Sequence, residues 1–201
     1  MTFDFRPWRP LGVAAVAELF ADAPFRWWIS GGHALELHLV RSWRDHDDSD
    51  VSFCRTDATA VADVLDGWEI HLAAAGVLSV WDGSPLRSEE HHNNLWVRPG
   101  SDEPWALDLT ISDGNDGRWI YRRQPAIFGP WAEVVLRDRT TGVPYLAPEI
   151  QLLFKSVHLR PKDHIDAAQV IPALTTDRAA WLQAALPHDH LWQQMFPSQA
   201  R

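Results

Sequence analysis

Two carboxylates one residue apart stand at the chemical centre of this sequence. Asp48 and Asp50 close the acidic segment Arg44-Asp45-His46-Asp47-Asp48-Ser49-Asp50. Ser49, Val51 and Phe53 alternate there with Asp48, Asp50 and Ser52, a period of two that predicts a strand. Both acids then project from one face, where they repel and raise each other's pKa unless a cation lies between them. A divalent ion resolves the conflict, and hard oxygen ligands favour Mg²⁺. Asp45 and Asp47 lack that strand context and read as loop charges.

A third carboxylate is expected from a neighbouring strand. In Trp105-Ala106-Leu107-Asp108-Leu109-Thr110-Ile111 the odd positions form an apolar face, and Asp108 lies on the other between two small residues. It is either a solvent-facing acid or a third member of the site. Upstream, Gly31-Gly32 falls between an apolar run and a helical pattern. Alone the pair is a tight turn. Shortly before the acidic strand, it is also where backbone N–H groups and a helix N-terminus approach a phosphate.

Other polar residues have two readings each. Arg44 forms a surface ion pair, with Asp48 as the candidate partner, or touches phosphate. His46 is a structural histidine or orients an acid. Lys162 stands four residues before Asp166, the spacing of a helical ion pair. Glu89-Glu90-His91-His92 looks metal-like, but adjacent strand residues point oppositely, and Asn93-Asn94 follows as a turn, so a polar loop is expected. Its acids remain available to a cationic acceptor. Cys54 reads as a small core residue. Most of the 12 Trp residues belong to the core, with Trp96, Trp105 or Trp119 as candidates for an acceptor wall.

The elements that must position these residues follow from periodicity. Helices are predicted over 10–21, 33–40 (with Ala34, Leu37 and Leu39 or Val40 inward) and 56–65, where Thr56 is the N-cap. Strands are predicted over 26–30 and from 48 to 53, with a polar loop over 41–47. From 68 to 138 short apolar runs recur at 68–72, 77–81, 95–98, 105–111, 119–122 and 133–136. Asp82-Gly83, Pro99-Gly100 and Asp113-Gly114 supply turns, which indicates a mostly antiparallel sheet. Gly142-Val143-Pro144 closes it. Helices then follow over 148–159, 162–174 and 176–186, with Pro161 as a break. The chain divides best near Tyr145, into an α/β part, 1–145, and a helical part, 146–201.

Composition narrows the function. The chain has 201 residues, 46% hydrophobic, so one domain, or one domain plus a small appendage, with a sizeable core is expected and general disorder is excluded. Asp and Glu number 27 against 18 Lys and Arg, a formal charge of -9. That disfavours nucleic acid, whose binding depends on neutralising phosphates, and suits a small cationic substrate. A single Cys rules out a disulfide framework and a cysteine-cluster zinc site, and points to a reducing cytoplasmic compartment. The stretch from Met1 to Trp8 has no targeting pattern, and no apolar run reaches the ~20 residues of a membrane helix.

Taken together, these residues resemble the DNA-polymerase-β-like nucleotidyltransferases, above all the aminoglycoside 2''-adenylyltransferase and lincosamide nucleotidyltransferase group. The likeness runs through Trp28-Ile29-Ser30-Gly31-Gly32-His33-Ala34-Leu35, Arg44-x-His46-x-Asp48-x-Asp50 and Pro144-Tyr145-Leu146-Ala147-Pro148-Glu149. It ends at Lys155 and Arg160-Pro161-Lys162-Asp163. His33, Ser49 and Asp108 depart from the usual Trp, aliphatic residue and Glu. The resemblance implies an α+β fold, a mixed sheet with flanking helices followed by a small C-terminal helical bundle. It implies Mg²⁺ held by Asp48 and Asp50, with Asp108 as base, metal ligand or neither. Gly31, Gly32, Arg44, Lys155 and Lys162 would meet the nucleotide. The expected reaction moves a nucleoside monophosphate, AMP from ATP, onto a hydroxyl of a small antibiotic-like acceptor, in a monomer or homodimer. A catalytically idle or regulatory, antitoxin-like protein of the same fold, or an enzyme nucleotidylating a macromolecule, are the other readings.

Overall fold

The computed structural model describes residues 7–115 and 117–196. The expectation of no targeting pattern at the N-terminus falls mostly outside them. The described chain begins as an extended strap: Trp8 bridges to Trp105, and the Arg9 and Leu11 N–H groups donate to Trp105 and Ala106 carbonyls at 2.9 and 3.0 Å. Helix α1 (Val13–Leu19) follows, then β1 (Trp27–Ile29) and α2 (Gly31–Leu39). Val40 ends α2 in the left-handed region (φ 52°) and lies 79% exposed, so of the two alternatives it is Leu39 that packs inward. The polar loop leads to β2 (Asp50–Cys54), and a 3₁₀ turn over Arg55–Asp57 leads to α3 (Ala58–Val64). Asp57, not Thr56, occupies the N-cap position. The turn preceding it is held by Arg55, whose guanidinium binds Asp113 at 2.6 Å.

A meander of β3 (Glu69–Ala74), β4 (Val77–Val80), β5 (Asn94–Arg98) and β6 (Leu107–Gly114) forms the antiparallel half of the sheet. Asp113-Gly114 is not a turn. Strand β6 runs through it, because the Asn115 side chain caps the Gly117 and Arg118 N–H groups at 3.0 Å and moves the reversal onward. Then come β7 (Arg118–Ile120), β8 (Phe128–Pro130), the single helical turn α4 (Trp131–Val134), β9 (Val135–Arg137) and β10 (Pro144–Leu146). The strand expected over 133–136 is therefore half helix. Gly142 (φ +74°) does not close the sheet. It turns β9 into β10, whose Tyr145 pairs in parallel with Ile29 of β1.

The main sheet has the order β4-β3-β5-β6-β2-β1-β10-β9, with β7 and β8 extending from β6. It is mixed: β2 runs parallel to β6 and β1 parallel to β10. One face of the central strands presents Val51, Phe53, Leu107, Leu109 and Ile111, all buried. Helix α1 packs on that side, with Phe20 5.5 Å from the Trp27 ring. The other face carries polar side chains. Cys54 is core as expected, its thiol pushed up to about 12 by burial.

Helices α5 (Pro148–Lys155), α6 (Pro161–Val170) and α7 (Thr176–Ala185) form the C-terminal part. Pro161 starts α6 at a position where its missing N–H costs nothing, and the Asp163 carboxylate accepts the Arg160 N–H at 3.0 Å. Among the described residues no helix is long and apolar enough to cross a membrane.

A buried ion network ties α5 and α6 to the polar loop. Lys155 Nζ lies 2.9 Å from Asp163 and 3.0 Å from Asp166, and Arg44 grips both Asp166 oxygens at 2.9 and 3.0 Å. Asp166 is wholly buried, so the expected Lys162–Asp166 helical pair does not form; Lys162 turns to Asp47 at 3.5 Å. Removing one partner of a buried pair leaves the others uncompensated. Asp166→Ala should therefore lower unfolding free energy by about 3–5 kcal/mol in urea titrations. A loss below about 1 kcal/mol would mean the network is solvated like a surface pair.

Candidate active site

The parallel register of β2 and β6 sets Asp50 directly beside Asp108. Residues paired across adjacent strands share a face, so Ser52 and Thr110 follow on the same side. Asp48 lies just before β2, half-buried in extended chain rather than in the strand itself. That entry is pinned on both sides: the Ser49 hydroxyl donates to the Leu11 carbonyl, and the Asp108 N–H donates to the Ser49 carbonyl at 3.0 Å. The hydroxyls of Ser30, Ser52 and Thr110 form a hydrogen-bonded chain beneath the acids. Asp108 is oriented by Asn94, whose Nδ2 donates at 2.8 Å, and by a hydrogen bond from Trp96.

Both glycines are required by close approach. Gly31 adopts φ +66°, and a Cβ there would fall 1.9 Å from Asp50 Oδ2. A Cβ on Gly32 would fall 2.2 Å from Arg44 Nη2 and 2.3 Å from His46 Cε1. The Gly31 N–H donates to Gln151 Oε1 at 2.8 Å, so α5 already engages the start of α2.

Electrostatics mark the carboxylates as the strained part of the molecule. Burial, then the charge of Asp48, pushes Asp50 up to about 6 against the pull of Lys155, Arg160 and Lys162. Burial, then Asp50, pushes Asp108 up to about 8, despite its hydrogen bonds from Asn94 and Trp96. Beside Asp50 opens a cavity of about 420 Å³. Its walls are the hydroxyls of the sheet, Gln151 and Lys155 of α5, Arg160 before α6, and Arg122 and Arg123 after β7. Arg160 is bound to Asp163 at 2.8 Å, whereas neither Arg122 nor Arg123 forms an ion pair among the described residues. Burial, then Arg123, draws the Arg122 pKa down, the signature of a cation short of counter-charge.

Residues 12–170, which include the Gly-Gly turn, the three carboxylates and most of the cavity wall, match a family model described as aminoglycoside-2''-adenylyltransferase. The chain belongs to that family. It is a nucleotidyltransferase. Among solved structures it is similar to the lincosamide antibiotic adenylyltransferase LnuA in its lincomycin-bound form, at 20% identity over 77% of this chain and 90% of that one, TM-score 0.52. It is similar also to ANT(2'')-Ia in complex with adenylyl-2''-tobramycin, at 17% identity over 86% of this chain and 95% of that one, TM-score 0.56. No curated protein sequence matches it.

Within this nucleotidyltransferase, Gly31, Gly32, Asp48, Asp50 and Asp108 come together at one place. Arg44 and Lys155 do not present free charges there: both are committed to Asp166, and Lys155 also to Asp163. Lys162 stands at the rim, 3.5 Å from the exposed Asp47 and within electrostatic reach of Asp50. Glu89-Glu90-His91-His92 is an exposed loop, with Glu90 paired to Arg87 and His92. Asn94, Gln151, Arg122 and Arg123 were not singled out from sequence. Asn94 was masked by the turn-like Asn93-Asn94 pair, while two adjacent arginines in an acidic chain were a signal that was available.

His33, Glu36 and His46 form a second cluster, their ligand atoms within 4.8 Å of one another. A guanidinium can only donate, and Arg44 Nη1 lies 3.1 Å from His46 Nδ1, so that nitrogen accepts. His46 Nε2 therefore carries the proton, 3.1 Å from Glu36 Oε2. A cation would have to take that proton's place. The cluster acts instead as a clasp: His46 stacks on His33, and Glu36 accepts the Trp43 N–H at 3.0 Å, fastening the acidic loop to α2.

The raised carboxyls give a pH signature. The folded protein holds protons that the unfolded chain releases near the ordinary value of about 4. The associated stabilisation is complete below about pH 4 and is lost as pH rises through about 6 and about 8. His33 and His38, whose pKa values are lowered by burial, act in the opposite sense. Asp108→Asn isolates the acid contribution. In EDTA, its melting temperature should exceed that of the wild type increasingly from pH 5 to pH 8, and parallel curves would refute the raised Asp108 carboxyl.

Proposed function

We propose that this chain is a Mg²⁺-dependent nucleotidyltransferase moving AMP from ATP onto a hydroxyl of a small aminoglycoside- or lincosamide-like molecule. The observation that carries the reading is the Asp50–Asp108 pairing, with Asp48 at its edge, beside a cavity flanked by two arginines without acidic partners. Buried carboxylates held above their ordinary pKa fit a hard divalent cation, because oxygen ligands that repel one another are what such an ion neutralises. Asp48 and Asp50 would hold it. Bound there, Mg²⁺ supplies charge compensation on the triphosphate and on the departing pyrophosphate.

The remaining steps belong to the chain. Asp108 takes the proton of the acceptor hydroxyl as its oxygen bonds to the α-phosphorus. The bond from the α-phosphorus to the bridging oxygen breaks, and pyrophosphate leaves towards Arg122 and Arg123. Asn94 holds the base in place. Gly31 and Gly32 keep the start of α2 open to phosphate, and Lys162 meets phosphate at the rim. Positioning and charge compensation together supply the rate, as in other phosphoryl transfers. The division near Tyr145 fits this reading: the sheet of 1–145 carries the acids, and the helices of 146–201 carry part of the basic wall. A reducing, cytoplasmic compartment, inferred from a single buried cysteine, would supply the ATP.

Pyrophosphate release with MgATP and either tobramycin or lincomycin tests the proposal. Asp48→Asn and Asp50→Asn should abolish transfer with circular dichroism unchanged. Asp108→Asn should keep MgATP binding and lower kcat by about 10²–10⁴, the usual worth of a general base. Lys162→Ala should raise KM for ATP without changing the melting temperature. Wild-type turnover in Asp50→Asn would sink the metal assignment.

A further inference from the structure

Three tryptophans were open as an acceptor wall, and their burial separates them. Trp105 is fully buried and Trp119 is 1% exposed, whereas Trp96 keeps part of its surface open. Trp96 also occupies a distinctive register position. Across the sheet the pairs Asp50–Asp108, Asp108–Trp96 and Trp96–His71 set four side chains in one row on the polar face. The row starts with the acids and continues away from β1 and the C-terminal helices. The cavity with the arginines runs instead along the strands from Asp50, past Ser52, Thr110 and Asn94, to α5 and the segment after β7, and Asp108, Trp96 and His71 do not line it.

In an in-line displacement the entering oxygen and the leaving pyrophosphate lie on opposite sides of the phosphorus. With pyrophosphate on the arginine side, the acceptor must approach over Asp108 from the direction of Trp96. We infer that Trp96 is the acceptor platform: its indole face stacks a hydroxylated, sugar-like ring while its N–H orients the Asp108 carboxylate.

The surroundings suit that ligand class. Trp96 meets Trp8 edge-on at 5.2 Å and Trp105 at 5.7 Å, so the ring is held rigid, with the N-terminal strap supporting it from below. Rigid aromatic surface offers contact at little entropic cost. Next in the row, His71 is hydrogen-bonded to Glu69, which also accepts from Arg98 at 2.6 Å. The charge of Glu69 is thus matched, and the shelf presents an aromatic face with polar edges. A ring with one C–H face and hydroxyls at its rim is complementary to it; a flat anion is not.

This inference rests on the nucleotidyltransferase reading, and the test separates the two. Isothermal titration would measure MgATP, tobramycin and lincomycin binding to the wild type, Trp96→Ala and Trp96→Phe, alongside transfer kinetics. Trp96→Ala should weaken binding of the accepted antibiotic about tenfold or more, the scale of a lost aromatic anchor, with MgATP affinity unchanged. Trp96→Phe keeps the stacking face and deletes the N–H. It should retain acceptor KM within about twofold and lower kcat about tenfold, the worth of a hydrogen bond to a charged group. Because Phe conserves the core contacts, that split between KM and kcat is not what a general loss of stability produces. Acceptor affinity unchanged in Trp96→Ala overturns the inference. So does failure of both antibiotics to bind a wild type that binds MgATP. Failure of MgATP itself to bind would instead remove the parent reading.

Discussion

Repulsion between carboxylates that the backbone places side by side governs this molecule. Parallel pairing of β2 with β6 forces Asp50 and Asp108 together, and the entry to β2 brings Asp48 close. Burial removes the water that would screen them, so both strand acids take up protons more readily than free carboxyls. The chain holds them there with hydrogen bonds from Asn94 and Trp96, a backbone clasp at Ser49, and glycines that leave room for the acids and their neighbours. Such an arrangement is costly for stability alone.

The cations nearest the acids do little to relieve this. Lys155 and Arg44 face Asp163 and Asp166, buried carboxylates that absorb their charge. Buried pairs of this kind serve geometry more than stability, and here they lock α5, α6 and the acidic loop into one frame. The charge left over lies at Arg122 and Arg123, in a protein whose formal net charge is -9. Local charge, set by which side chains are already paired, thus runs opposite to global charge. The field inside the cavity therefore favours an anion although the chain as a whole is acidic.

The motifs divide labour in a way their order along the chain does not reveal. The Gly-Gly pair makes space for side chains of the loop that follows it, as much as for any phosphate. Arg44-x-His46 clasps the loop: Arg44 reaches α6, His46 reaches α2, and the acids that follow are presented from that fixed base. Asn94 and Trp96, from a strand with no recognisable motif, orient the third acid.

Much of this was legible in the sequence because it depends on local period and residue type. Alternation around residues 48–53 and 105–111 marked two strands with acids on their polar faces, and helical spacing marked α1, α2 and the C-terminal helices. The Gly-Gly and Asp-x-Asp spacing carried the family resemblance. What escaped depends on partners distant in sequence. Strand β10 is three residues long, paired antiparallel with its neighbour β9 and in parallel with β1, and the second pairing is one that no local pattern encodes. The turn after β6 shifted because the Asn115 side chain capped it, and residues 133–136 split between a helical turn and a strand. Lys155, Arg44 and Lys162 were all basic residues near phosphate-binding motifs. Only the packing of α5 and α6 decided that two of them are neutralised by buried acids while Lys162 stays at the rim. Residue types and spacing therefore determined which chemistry the chain is equipped for. The tertiary structure decided which charges remain unpaired to perform it, since pairing depends on distance in space and not along the chain.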